Sequence, residues 1–199
     1  MKLNLPRLSD GKIGEIAQKF LEKNHPTFKL PIPIEEIAES KLDIEIIPVK
    51  RLKKDYDVDG CLVSSLSRIF IDFDLYMDQE NRTRFTLAHE IGHLILHYEI
   101  FQELKIKTES DLYKLTENTS NEDYKWLEYQ AYSFAGHVLV PSTLLVSEIK
   151  TRLTIKSQGE VSAEDLYPIF PELIEKFNVS GEVLLRRLQK VGLVKNTRY

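Results

Sequence analysis

Residues 89–93 read His-Glu-Ile-Gly-His, and this pentapeptide constrains the chain more than any other segment. It lies in a stretch from about Glu80 to His97 where Phe85, Ala88, Ile91, Gly92 and Ile95 recur at helical spacing and form an apolar packing face. A helix puts positions i and i+4 on one face about one turn apart, so His89 and His93 can present imidazole nitrogens to a single point. Two histidines beside a core-facing stripe are costly unless something pairs with them. A Zn²⁺ ion takes such a pair at roughly 2.0–2.1 Å. Glu90 stands one step around the helix, close enough to accept a proton from a water on that metal without being a ligand.

A catalytic zinc keeps three protein ligands and one open position, so a further donor must come from elsewhere. His97 is not that donor: at i+8 from His89 it lies about 12 Å along the same helix. It reads instead as a helix-end partner or a donor to a ligand. The single cysteine, Cys61, excludes an internal disulfide and a cysteine-rich metal site. Among the acids, Glu128 lies in a second strongly periodic segment, Glu122 to Val140, sharing a face with Ala131, Ala135 and Leu139. Small alanines there let two helices approach closely. Glu122 and Asp123 compete for the role, but acids at a helix start commonly just favour its dipole and stay exposed. A donor that stabilises an oxyanion is also needed, and His137, Tyr129 and Tyr132 are the candidates among which the sequence does not choose.

Around these two segments the pattern predicts an α+β fold. Ile13 to Leu21 has helical spacing and ends at His25-Pro26. A helix beginning near Pro33 follows, and then an alternating strand over Leu42 to Val49. Lys53 to Asp59 reads as a turn, and Gly60 to Leu66 and Arg68 to Phe73 as a hairpin closed at Ser67. The expectation is a small three-stranded, mostly antiparallel sheet packed on the His-Glu-Ile-Gly-His helix, with a helical C-terminal region. Tyr98 to Asn121 reads as a long connection holding one short helix. Pro141 precedes a helix over Ser142 to Lys150. Ser162 caps another, which Pro168 and Pro171 interrupt, and Ser180 caps the last. Residues 1–150 are expected to form the main domain, with 151–199 a helical extension packed on it.

No apolar run approaches the roughly 20 residues needed to cross a bilayer, and the N-terminus lacks the apolar stretch of a signal peptide, so a cytoplasmic location is expected. Net charge is −4, which gives no general attraction to nucleic acid. The exception is local, because Arg186, Arg187 and Lys190 near the C-terminus offer a weak foothold on DNA or an acidic partner.

The segments Arg84-Phe-Thr-Leu-Ala-His-Glu-Ile-Gly-His-Leu-Ile-Leu-His97 and Glu128-Tyr-Gln-Ala-Tyr-Ser-Phe-Ala-Gly-His-Val-Leu-Val-Pro141 closely resemble the ImmA/IrrE family of bacterial and phage metallopeptidases. The resemblance implies a zincin-like fold with His89, His93 and Glu128 as gluzincin-like zinc ligands and Glu90 as catalytic base. It implies a metallo-endopeptidase that cleaves or inactivates a helix-turn-helix repressor, of the short kind carried by phages and integrative elements. Tyr132 departs from the pattern, which has Asn there. The alternative is a non-proteolytic antirepressor or DNA-binding regulator that retains the zinc fold.

Overall fold

A computed structural model describes residues 5–104, 121–153 and 163–194. Helix α1 (Asp10–Asn24) starts where the Ser9 hydroxyl accepts the Lys12 N–H and stops before His25-Pro26, burying Ile13, Ala17, Phe20 and Leu21. The single turn α2 (Ile34–Glu36) runs on into a π-helical turn, Ile37–Lys41. Then come β1 (Glu45–Val49), α3 (Leu52–Tyr56), β2 (Gly60–Leu62), β3 (Arg68–Asp72) and α4 (Phe73–Asp78). The long helix α5 (Glu80–Leu96) follows, and after it α6 (Tyr98–Leu104), α7 (Asn121–Leu139), α8 (Ser142–Leu153), α9 (Ala163–Phe177) and α10 (Gly181–Lys190).

The class is α+β, with a three-stranded sheet in the order β1-β3-β2. The sheet is mixed: β2 and β3 form the expected antiparallel hairpin, but β1 pairs in parallel with β3. The chain reverses twice between β1 and β3, and β1 then docks beside β3 rather than β2. The hairpin turn is also longer than expected. β2 ends at Leu62, and Val63 to Leu66 make the turn, closed by the Leu66 N–H on the Val63 carbonyl with Leu66 at φ 59°.

Other differences have local causes. The segment expected as a turn after Arg51 contains α3, flanked by left-handed residues Arg51 and Asp57. The unforeseen α4 starts at Asp72, whose carboxylate accepts the Asp74 and Leu75 N–H groups and, through its other oxygen, that of Lys53. Pro168 and Pro171 do not interrupt α9, because the buried Leu166, Ile169, Leu173 and Phe177 hold one continuous apolar face across them. Ile95 was expected in the packing face of α5 but is partly exposed, and Leu87 is fully buried instead. Ser162 and most of the Tyr98 to Asn121 connection lie outside the described residues.

One buried cluster joins α1, α5, α7 and the sheet with Leu166, Leu173, Phe177, Leu184 and Leu188, so residues on both sides of position 150 share a core. Two buried arginines tie it together. Arg84 donates to the carbonyls of Ile32 (2.8 Å) and Asn178 (3.1 Å), and Arg187 donates to the Val140 carbonyl and the Ser142 hydroxyl. No helix among the described residues is long and apolar enough to cross a membrane.

Candidate metal centre

The site is built where α5 crosses α7. A methyl group on Gly92 would lie 3.1 Å from both the Cα and the carbonyl oxygen of Ala131 and 3.2 Å from Phe134 Cδ1. Gly92 and Ala131 are therefore the contact that lets the two backbones meet, and it falls one residue before His93 and three after Glu128. Consequently His89 and His93 on α5 face Glu128 on α7. The two imidazole Nε2 atoms are 3.0 Å apart. Glu128 Oε2 lies 3.2 Å from His89 Nε2, and Oε1 lies 3.5 Å from His93 Nε2. One donor atom from each of the three lies within 4.8 Å of the others, an arrangement that can hold a metal ion, and no other such cluster occurs among the described residues.

Electrostatics within the cluster are tightly linked. Burial works against a proton on His89, but the hydrogen bond and charge of Glu128, helped by Glu90 and Asp59, leave its pKa above the ordinary histidine value. Burial likewise works against the Glu128 carboxylate, and the hydrogen bonds and charges of His89 and His93 overcome it, holding its pKa well below the usual carboxylate range. A cation entering here replaces a proton as the charge that compensates Glu128.

Glu90 is buried and does not join the three donors. Its Oε2 accepts the backbone N–H of Leu62 at 2.8 Å, so the last residue of β2 fixes the carboxylate. Gly60 makes this approach possible, since a methyl group there would lie 2.6 Å from Thr86 Cγ2 and 3.1 Å from the Phe70 carbonyl. The sequence gives no sign of the Leu62 contact, because a backbone donor leaves no residue signature.

The cluster opens into a cleft of about 1190 Å³ whose walls include Gly60 and Cys61 of β2, Phe85 of α5, Tyr124 and Tyr132 of α7 and Val183 of α10. Tyr132 is half exposed, with its ring 5.1 Å from that of His89 and 5.0 Å from that of Phe85. Tyr129 turns toward Lys190, whose ammonium lies 3.4 Å from its hydroxyl. Tyr124 was missed, although it sits one turn before Glu128 on the same helix, a spacing that could have found it. Its phenol pKa is raised by burial and by the charges of Glu128 and Glu90.

Other expected residues go elsewhere. His137 packs on Gly14 with its Nε2 3.3 Å from Asp10 Oδ2, away from the metal cluster. Glu122 is exposed and paired with Arg7, whereas Asp123 is buried, contrary to expectation, 3.7 Å from the same guanidinium. Of the basic residues, Arg187 is buried, Arg186 pairs with Glu182, and Lys190 reaches Asp10. His97, expected as a helix-end partner or a donor to a ligand, closes α5 as its C-cap and is fully buried, with its Nδ1 3.1 Å from His93 Nδ1. Burial and the charge of His93 push its pKa down to about 3, so it stays neutral.

Comparison with known protein families matches residues 69–189 to the IrrE N-terminal-like domain of the M78 peptidases. The chain belongs to this family. The match runs from β3 to Gln189 in α10 and includes both helices that carry His89, His93 and Glu128, and membership brings a metallopeptidase type of function. No curated protein matches it.

Proposed function

We propose that this IrrE-like chain is a zinc-dependent endopeptidase whose protein substrate is a helix-turn-helix transcriptional repressor in the cytoplasm. The observation that carries the reading is the convergence of His89, His93 and Glu128, with Glu90 fixed beside them. Donors of a tetrahedral zinc with bonds of roughly 2.0–2.1 Å stand about 3.3 Å apart. Here the two Nε2 atoms are 3.0 Å apart, and Glu128 places Oε2 3.2 Å from His89 Nε2 and its other oxygen, Oε1, 3.5 Å from His93 Nε2. Two imidazoles and one carboxylate are a zinc donor set, and zinc, when bound, polarises a carbonyl and lowers the pKa of a water.

The chain's own groups do the rest. Glu90 takes a proton from the water as its oxygen bonds to the scissile carbonyl carbon, and passes that proton to the amine nitrogen as the C–N bond breaks. Leu62 N–H holds one oxygen of that carboxylate, which leaves the other for the proton. β2 is an edge strand on the cleft wall, the kind of surface that takes up an extended peptide by main-chain hydrogen bonding. Tyr124 and Tyr132 flank the cluster as hydroxyl donors for a developing oxyanion. The DNA-binding alternative finds little support, since Arg186, Arg187 and Lys190 are engaged within the molecule.

The test is co-expression with a candidate repressor, with chelator added to parallel lysates. Wild type should fragment the repressor, and Glu90→Gln should retain zinc yet leave it whole, a loss of about 10²–10⁴-fold in rate. Relief of repression that survives in Glu90→Gln would show that hydrolysis is not the mechanism.

A further inference from the structure

Two aromatic rings continue the donor cluster on one side. Phe85 stands four residues before His89 on α5, and Tyr132 four residues after Glu128 on α7, so each lies one turn, about 5.4 Å, from a donor on its own helix face. His93 meets Glu128 and Phe85 meets Tyr132, so the two helices run antiparallel and both turns fall on the same side of the cluster. The Tyr132 ring is held from two directions. Its centroid is 5.0 Å from that of Phe85, tilted by 54°, and 5.1 Å from that of His89 in an edge contact at 77°. An aromatic ring held in this way offers a large contact area and loses little conformational freedom when something binds to it. Yet Tyr132 remains 49% exposed, Phe85 is only half-buried, and Tyr132 is neither in the hydrophobic core nor packed against it. Both rings belong instead to the wall of the cleft into which the donors open, and α10 adds Val183 to that wall. The start of α10 is fixed there by the Ser180 hydroxyl, which accepts the Val183 N–H, and by the close seat of Gly181 on Phe170 and Ile174.

We propose that Phe85 and Tyr132 form a specificity subsite for a large apolar side chain, aliphatic or aromatic, on a substrate residue that borders the scissile bond. The proposal rests on the peptidase reading above for the place of that bond. With the scissile carbonyl over the three donors, an extended chain advances only about 3.3 Å per residue, so a side chain seated one helical turn along the α5–α7 groove belongs to a bordering residue and not to a distant one. A peptide paired with the edge strand β2 turns alternate side chains to opposite faces, so one bordering position meets the rings and the next points away. Alanine there leaves the rings in water, whereas leucine or phenylalanine covers them, and a difference of that size in an apolar pocket discriminates by at least about tenfold.

The test is digestion of a synthetic mixture of random peptides by zinc-loaded full-length protein, with the cut sites read by mass spectrometry. Large apolar residues should be enriched at one of the two positions bordering the cut. For a pair of peptides that differ there as Leu against Ala, the ratio of kcat/KM should be at least about ten. Tyr132→Ala and Phe85→Ala should each bring that ratio close to one, and Tyr132→Phe should preserve it whatever becomes of the rate, because the ring stays while the hydroxyl goes. A ratio cancels any loss of metal or of a hydroxyl donor, which a merely structural role would leave as the sole effect. The half-exposed Tyr132 keeps the test open should Phe85→Ala not fold. Absence of apolar enrichment at both bordering positions overturns the proposal, as does an unchanged ratio in Tyr132→Ala. If the wild type cuts no peptide, the peptidase reading falls, and metal-free protein carrying ¹³C-labelled tyrosine decides the subsite alone. The Tyr132 ring resonance, assigned with Tyr132→Phe, should then shift with millimolar acetyl-Ala-Ala-Leu-Ala-Ala-amide and not with its all-alanine counterpart, and equal or absent shifts would overturn the subsite too.

Discussion

Replacing Gly92 by Ala tests whether the helix crossing sets the spacing of His89, His93 and Glu128. The added methyl meets Ala131 Cα and its carbonyl oxygen at 3.1 Å and Phe134 Cδ1 at 3.2 Å. Carbon atoms in comfortable contact stand about 3.5–4.0 Å apart, so α5 and α7 must separate by about 0.5 Å. Two of the three struck groups belong to the backbone of α7, which cannot rotate away. Stability should change little, since overpacking costs about 1–3 kcal/mol while exchanging Gly for Ala inside a helix returns about 1 kcal/mol. Cation binding should change more, because His89 and His93 move with α5 and Glu128 with α7, and contacts of 3.2 and 3.5 Å would open to about 3.7–4.0 Å. The expectation is a folded protein whose zinc affinity, read by chelator competition, falls at least about tenfold. Gly11→Ala is the control, since nothing lies within 4 Å of a methyl there. A Gly92→Ala protein that binds zinc as tightly as wild type would refute the claim that this contact spaces the donors.

Gly60→Ala should do the reverse: its methyl strikes Thr86 and the Phe70 carbonyl, pushing β2 from α5 and breaking the Leu62 to Glu90 bond while sparing the three donors, so peptidase rate should drop with zinc affinity retained, measured side by side. Arg84→Met leaves the buried Ile32 and Asn178 carbonyls without their donor and should cost roughly 2–4 kcal/mol, seen as a fall in urea midpoint. Acid should weaken the packing of α1 on α7. His137 has a pKa below its ordinary value through burial and the charges of Arg187 and Lys190, only partly offset by Asp10, and Asp10 is also lowered, burial being outweighed by Ser133, His137 and Lys190. Both contributions are present above the ordinary values of 6.5 and 3.8 and are lost as pH falls below them. The unfolding midpoint should therefore decline from pH 7 to pH 5, and a His137→Gln variant that declines just as steeply would refute this assignment.

What repeats along one helix was legible in the residues alone. The spacing of His89 and His93, the position of Glu90 and the face shared by Glu128, Ala131 and Ala135 all follow from helical geometry, and His25-Pro26 and Ser180 mark helix ends through sterics or local hydrogen bonding. What depends on contacts between distant segments came from packing. The parallel seat of β1 beside β3, the Leu62 N–H on Glu90 and the orientation of Gln130 by Pro6 involve backbone groups, which are alike in every residue and leave no trace in composition or period. Likewise Arg187 reads as a surface charge until α10 docks on α7 and buries it over Gly136. Local pattern depends on the next few residues, whereas burial and hydrogen-bond partnership depend on which segments come to lie side by side.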